Sequence, residues 1–76
     1  MTIDEMYNKK IEELRKQNAS YSEFITSDDE KAIEVFVDSY TKETYVYNTK
    51  GVEKFSEEIN VDGSISTNHK WEYVVW

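Results

Sequence analysis

The sequence predicts an α+β domain with an N-terminal helix, a three-stranded antiparallel meander, a short acidic helix and a C-terminal β-hairpin. Three observations lead to this prediction. Apolar residues recur every three or four positions near the N-terminus, β-branched and aromatic residues are concentrated in the middle, and a glycine turn precedes an aromatic C-terminal segment. Because the chain has only 76 residues, we expect residues 1–76 to form one small domain with one core.

The first predicted element is an amphipathic helix. Thr2 and Glu5 match a capping box, in which each side chain binds a backbone N–H that the first turn leaves free. Apolar side chains follow at helical spacing, namely Ile3, Met6, Tyr7, Ile11 and Leu14. Asn18 is expected to end the helix near residue 17. The apolar stripe lasts only two heptads, so we expect it to pack on the sheet rather than in a coiled coil.

Residues 21–49 are predicted to form the meander. Its strands centre on the apolar pair at 24–25 and on two β-branched and aromatic segments, 33–38 and 44–47. A turn at 39–43 joins the last two strands.

The alternative for this region is a helix from Asp28 to about Thr41. Ser27 and Glu30 form a second capping-box pattern, and the apolar residues that follow also have helical spacing. The β-branched residues at 33, 35 and 37 favour strands.

The turn between the second and third strands decides which aromatic residues share a face of the sheet. An even number of turn residues places Tyr45 and Tyr47 with Phe36, whereas an odd number places them with Val35 and Val37. The sequence leaves both registers open.

The C-terminal third is predicted to hold a short helix and a hairpin. Val52, Phe55 and Ile59 share one helical face, and the opposite face of that helix is acidic. Asp62-Gly63 indicates a turn, after which Ile65 pairs with the strand Trp71–Trp76. That strand has apolar residues on both faces, so it is either enclosed by the fold or presented to a partner.

Several classes of function are excluded by composition. The absence of cysteine excludes a disulfide scaffold, a thiol nucleophile and the usual structural zinc sites. His69 is the only histidine and lies in a polar segment, where a surface position is expected. The adjacent acids at 28–30 lack the spacing of a calcium loop, and two glycines cannot form a phosphate-binding loop. We therefore expect a protein that is not an enzyme and has no cofactor or metal.

The charge of the chain is concentrated in its middle. Residues 19–62 carry eleven acids and four bases, and this difference of seven equals the whole net charge of −7. Such a balance argues against direct contact with nucleic acid or an anionic membrane. No apolar run is long enough for a membrane span and no secretory leader is evident, so a cytoplasmic location is expected.

A solvated surface is the simplest explanation for these acids, and binding to a basic protein surface is the functional one. Glu34 and Asp38 are predicted to share a strand face, and Glu53 and Glu57 a helix face. The predicted partner-binding residues are Asp28, Asp29, Glu30, Glu34, Asp38, Glu53, Glu57 and Glu58.

In size, acidity and order of elements the chain resembles the small acidic inhibitors encoded by bacteriophages, which include anti-CRISPR proteins. The resemblance lies mainly in the segment IEVFVDSYTKETYVYNTKGVEKFSEEI. It implies a protein that blocks a basic, nucleic-acid-binding surface of a host or defence protein, in the manner of a DNA mimic. The alternative is a small structural or adaptor protein, monomeric or homodimeric, that self-associates or binds a partner through its aromatic C-terminal strand, which includes Trp71, Tyr73 and Trp76.

Overall fold

The structure, a computed structural model, describes residues 2–75 as one helix packed on a five-stranded antiparallel sheet. The elements are α1 (Ile3–Lys16), β1 (Ser20–Ile25), β2 (Lys31–Phe36), β3 (Thr41–Asn48), β4 (Gly51–Ile59) and β5 (Ile65–Val74). The order of the strands in the sheet is the same as their order in the chain. No helix among residues 2–75 has the length and apolar character needed to cross a membrane.

The predicted architecture is wrong in its C-terminal half. The segment expected to form a short acidic helix is the strand β4, and β5 pairs with β4 rather than folding into a separate hairpin. The sheet therefore has five strands instead of a three-stranded meander followed by a helix. The alternative helix over residues 28–41 is also wrong, because this segment holds β2 and the turn after it.

Pairing on both sides explains why β4 is a strand. It is hydrogen-bonded along its length to β3 on one side and to β5 on the other. Because side chains alternate along a strand, Val52 points towards α1 whereas Phe55 and Ile59 point away from it. The three apolar residues whose spacing fits one face of a helix therefore lie on two different faces of the sheet.

The N-terminal helix forms as predicted, with the expected cap. The Thr2 hydroxyl oxygen accepts the backbone N–H of Glu5 at 3.1 Å, and the Glu5 carboxylate accepts the N–H of Thr2 at 3.4 Å. Gln17 is the C-cap, and Asn18 leaves the helix with a φ of 54°. The left-handed conformation at Asn18 is one that asparagine adopts at low energetic cost.

The core lies between α1 and the centre of the sheet. Its buried members are Ile11, Leu14, Ile33, Val35, Tyr45, Tyr47 and Val52. Five residues separate the paired Phe36 and Lys42, so the turn has the odd register. Tyr45 and Tyr47 therefore join Val35 in the core, while Val37 lies in the turn and is exposed.

A tight turn sets the register between β3 and β4, and a β-bulge shifts the register between β4 and β5. The Asn48 side-chain oxygen accepts the backbone N–H groups of Lys50 and Gly51, at 2.8 and 3.1 Å. Gly51 has a φ of 142°, and a Cβ there would collide with the carbonyl oxygen of Tyr73. The register between β4 and β5 shifts by one residue next to Gly51, between Val52 and Glu53.

Candidate partner-binding surface

One face of the sheet is not covered by a helix within residues 2–75, and we call this side, opposite α1, the open face. Ile33 and Val35 point towards α1, so the alternate residues of β2 point to the open face. The strand register extends this face across the sheet. Its main residues are Phe24, Ala32, Glu34, Phe36, Lys42, Val46, Glu53, Phe55, Glu57, His69 and Trp71.

Large apolar side chains on the open face remain accessible. The exposed fractions of Phe24, Phe36 and Trp71 are 39%, 46% and 40%. The Phe55 and His69 rings lie 4.6 Å apart between their centroids, and His69 meets Trp71 edge-on at 6.1 Å. Accessible aromatic side chains of this kind are enriched at protein interfaces.

Carboxylates outnumber basic groups on the same face. The Lys42 ammonium lies 2.8 Å from Glu34 and 3.6 Å from Glu57, so one cation is shared by two carboxylates. The hydrogen bond to Glu34 is the main reason that the pKa of Lys42 is raised above its ordinary value. Since Glu53 adds a third carboxylate, the face retains an excess of negative charge when His69 is neutral.

Glu53 is held in place by two neighbours. The Asn48 side-chain amide donates a hydrogen bond to it at 2.9 Å, and the His69 Nε2 lies 3.1 Å from its other oxygen. Its carboxylate is therefore oriented before any partner binds, which limits the entropy lost on binding.

The structure places the predicted acids in four locations, and those on the open face are Glu34, Glu53 and Glu57. The last two share a face as expected, but on a strand rather than on a helix. Asp38 does not share a strand face with Glu34, because β2 ends at Phe36. Instead, the Asp38 carboxylate accepts the backbone N–H groups of residues 40 and 41, each at 2.8 Å. Glu58 lies on the helix side of the sheet.

The remaining predicted acids, Asp28, Asp29 and Glu30, lie in the turn between β1 and β2. The Thr26 hydroxyl oxygen accepts the backbone N–H groups of Asp28 and Glu30, at 3.3 and 3.1 Å. Asp29 has a φ of 61°, a conformation that aspartate tolerates better than most residues. These residues therefore shape the turn through their backbone.

A cleft of about 750 Å³ connects the turn acids with the open face. It lies between the β1–β2 turn, the start of α1 and the β3–β4 turn, and its lining includes Asp28, Glu30, Glu53 and Trp71. The Glu30 Oε2 atom is buried without a hydrogen-bond partner among the described residues. The cleft thus brings together acids that are more than twenty residues apart in the chain.

Apart from Trp71, which belongs to the aromatic strand of the alternative function, the sequence does not single out the aromatic and basic members of the open face as site residues. Phe55 was assigned to a helix, and the position of Lys42 between two carboxylates depends on the β2–β3–β4 register. The alternation of residues in the last strand does indicate an exposed aromatic side chain, and Trp71 is one. Tyr73 points to the helix side instead, because of the bulge. Trp76 lies outside the described residues.

No group of three or more histidine, aspartate or glutamate side chains within residues 2–75 is arranged to hold a metal ion. No known protein family, curated protein or solved structure matches this chain.

Proposed function

We propose that this chain is a non-enzymatic binding protein that occupies a basic, nucleic-acid-binding surface of a host or defence protein. The observation that carries the proposal is the combination, on one uncovered sheet face, of the carboxylates of Glu34, Glu53 and Glu57 with accessible aromatic rings. Carboxylates steer the approach of a basic partner, and rings provide the area from which tight contacts are built.

The negative charge available for a partner exceeds that of the open face alone. The acids of the β1–β2 turn line the cleft that opens beside Glu53 and Trp71. Arginine or lysine side chains from a partner would find the carboxylates of Asp28, Asp29 and Glu53 along its lining.

The spacing of the carboxylates limits how far the open face can imitate a nucleic acid. Glu53 and Glu57 are four residues apart on one strand, which separates them by about 13 Å. The phosphates of duplex DNA are much denser, with one charge per roughly 1.7 Å of helix axis. The open face would therefore replace some phosphates and add apolar contacts that DNA lacks.

The proposal is tested by competition with nucleic acid. A tagged chain is used to isolate its partner from host cells, and the purified partner is then bound to a fluorescent DNA or RNA duplex. We expect the chain to displace the duplex, and the affinity of the chain for the partner to fall steeply as salt is raised. A chain that binds without displacing the duplex, or binds equally well in high salt, contradicts the proposal.

Matched triple variants locate the contact. Glu34→Gln/Glu53→Gln/Glu57→Gln should weaken binding by about tenfold or more, which corresponds to ~1.4 kcal/mol. Glu12→Gln/Glu13→Gln/Glu58→Gln removes the same charge from exposed positions off the open face and should change the affinity by less than about twofold. Equal losses in the two variants would show that net charge alone, rather than the open face, mediates binding.

A further inference from the structure

A second candidate interface lies at the edge of the sheet. β5 is the last strand and pairs on one side only, with β4. All ten of its residues are exposed. On the outer side of β5, the backbone N–H and C=O groups have no strand partner among residues 2–75. Free groups of this kind can pair with another extended strand.

The regular part of this edge is residues 65–71. The bulge interrupts the pairing with β4 immediately after Trp71, and a bulge bends a strand and disturbs its edge. Within the seven residues before it, Lys70 carries the only formal charge when His69 is neutral. In a chain of net charge −7, this is a stretch on which a second acidic copy meets little local repulsion.

We propose that two copies of the chain pair antiparallel through residues 65–71, with the Asn68 residues facing each other on a two-fold axis. The product is a continuous ten-stranded sheet. Because the axis is perpendicular to the sheet, both α1 helices lie on one side and both open faces on the other.

The side chains favour this register. Centring the axis on Asn68 places Ile65 opposite Trp71 of the second copy, and Ser66 opposite Lys70, twice each. Ile65 and Trp71 both belong to the open-face side of β5, so an apolar residue meets an apolar residue. Moving the axis to Lys70 would instead place two lysines opposite each other and bring the bulge into the ladder.

The other free edge of the sheet is less suited to the same role. β1 has six residues against the ten of β5. Pairing of β5 with β1 of another copy would leave new free edges and build an open filament, whereas pairing of β5 with itself closes after two copies. The chemistry of the edge thus points to a dimer.

An introduced cysteine tests the register directly, because the chain has no cysteine of its own. Directly opposite residues in an antiparallel ladder have Cα atoms about 4.5–5.5 Å apart, which is within the range of a disulfide. Asn68→Cys should therefore form a covalent dimer under mild oxidation. Lys70→Cys is the matched control, because its two copies would be about 13 Å apart in this register. Equal cross-linking of both variants, or of neither, would overturn the register.

Sedimentation of the unmodified chain tests the association itself. We expect the mass to rise from 9.0 kDa to twice that value with increasing protein concentration. Asn68→Lys, which places two ammonium groups opposite each other, should keep the chain monomeric. Ser22→Lys adds the same charge on β1 and should leave the dimer intact. A monomer at all concentrations, or assemblies larger than a dimer, contradicts the proposal.

The dependence on salt distinguishes dimerisation from the proposed function, and the dimer does not depend on that function. Two copies of charge −7 repel each other, so dimerisation should strengthen as salt is raised. Binding to a basic partner should weaken under the same change. Either behaviour can fail while the other is observed.

Discussion

The two faces of the sheet use aromatic residues differently. On the covered side, Tyr45 and Tyr47 are buried beneath α1, where the Tyr7 ring meets Tyr47 edge-on at 5.3 Å and the Lys10 ammonium lies 4.5 Å above Tyr45. On the open face, no helix or strand among residues 2–75 covers the rings, which are mixed with carboxylates. The fold therefore buries its apolar side chains mainly on the covered side, whereas large apolar side chains of the open face remain accessible.

The largest expected effect is a difference in the free energy of unfolding between two variants, each of which shortens one aliphatic side chain on one face. Ile33 is 0% exposed on the covered side, and Ile59 is 47% exposed on the open side. Ile33→Ala should lower the free energy of unfolding by about 2–5 kcal/mol, because it removes buried methyl groups and leaves a cavity. Ile59→Ala should lower it by about 1 kcal/mol or less. Chemical denaturation measures both, and similar losses would contradict the division of roles between the faces.

A smaller effect on stability is expected when either of two lysines, each of which lies between two carboxylates, is replaced by glutamine. The Lys54 side chain is 17% exposed on the covered side and lies 2.7 Å from Glu43 and 5.6 Å from the centre of the Tyr45 ring. Lys54→Gln should destabilise the fold by about 1–2 kcal/mol. The Lys42 side chain is 35% exposed on the open face, and Lys42→Gln should destabilise it by less than about 1 kcal/mol. Thermal unfolding at matched ionic strength compares the two, and a reversed order would show that the open-face cluster is structural.

The smallest expected effect is a response to alkaline pH that originates on the covered side. Burial, followed by the 2.6 Å hydrogen bond to Glu23, raises the pKa of Tyr7 from 10.0 to about 12. Desolvation also raises the pKa of Tyr47. Above pH 10 the unfolded chain loses these protons while the folded chain keeps them, so stability present below pH 10 is lost as the pH rises towards 12.

Tyr7→Phe isolates the contribution of Tyr7 to this response. The variant lacks the titrating hydroxyl, so the fall in its urea midpoint between pH 9 and pH 11 should be smaller than that of the unmodified chain. Tyr40→Phe is the matched control, because Tyr40 is exposed in the β2–β3 turn. An identical fall for Tyr7→Phe and the unmodified chain would show that its hydroxyl does not contribute.

The sequence was sufficient where the signals are local. The capping pair at Thr2 and Glu5, and the left-handed residue Asn18, act within one or two turns of the helix, so both ends of α1 were predictable. The first three strands also lie within the segment where the meander was expected, and β2 and β3 are rich in the β-branched and aromatic residues that favour strands.

The sequence is insufficient where pairing with neighbouring strands decides the structure. Val52, Phe55 and Ile59 fit a helix until the pairing of β4 on both sides is known. On the candidate surface, the sequence places Glu53 and Glu57 on one face correctly, but on a helix instead of a strand. The prediction holds because residues four apart lie on the same side of a helix and also on the same side of a strand. The aromatic neighbours of these acids depend on register across four strands, which one sequence does not reveal.

The identity between strand order in the sheet and strand order in the chain has a consequence for how the molecule folds. Each strand pairs with the strand just before it, so every step in building the sheet is the closure of a short hairpin with a small loss of chain entropy. The two-residue connection at 49–50, where the Asn48 side chain already binds the turn, is the shortest of these closures. During synthesis, α1 emerges before the strands but has no surface to pack on until β2 and β3 have followed, so the helix is made well before it can be secured.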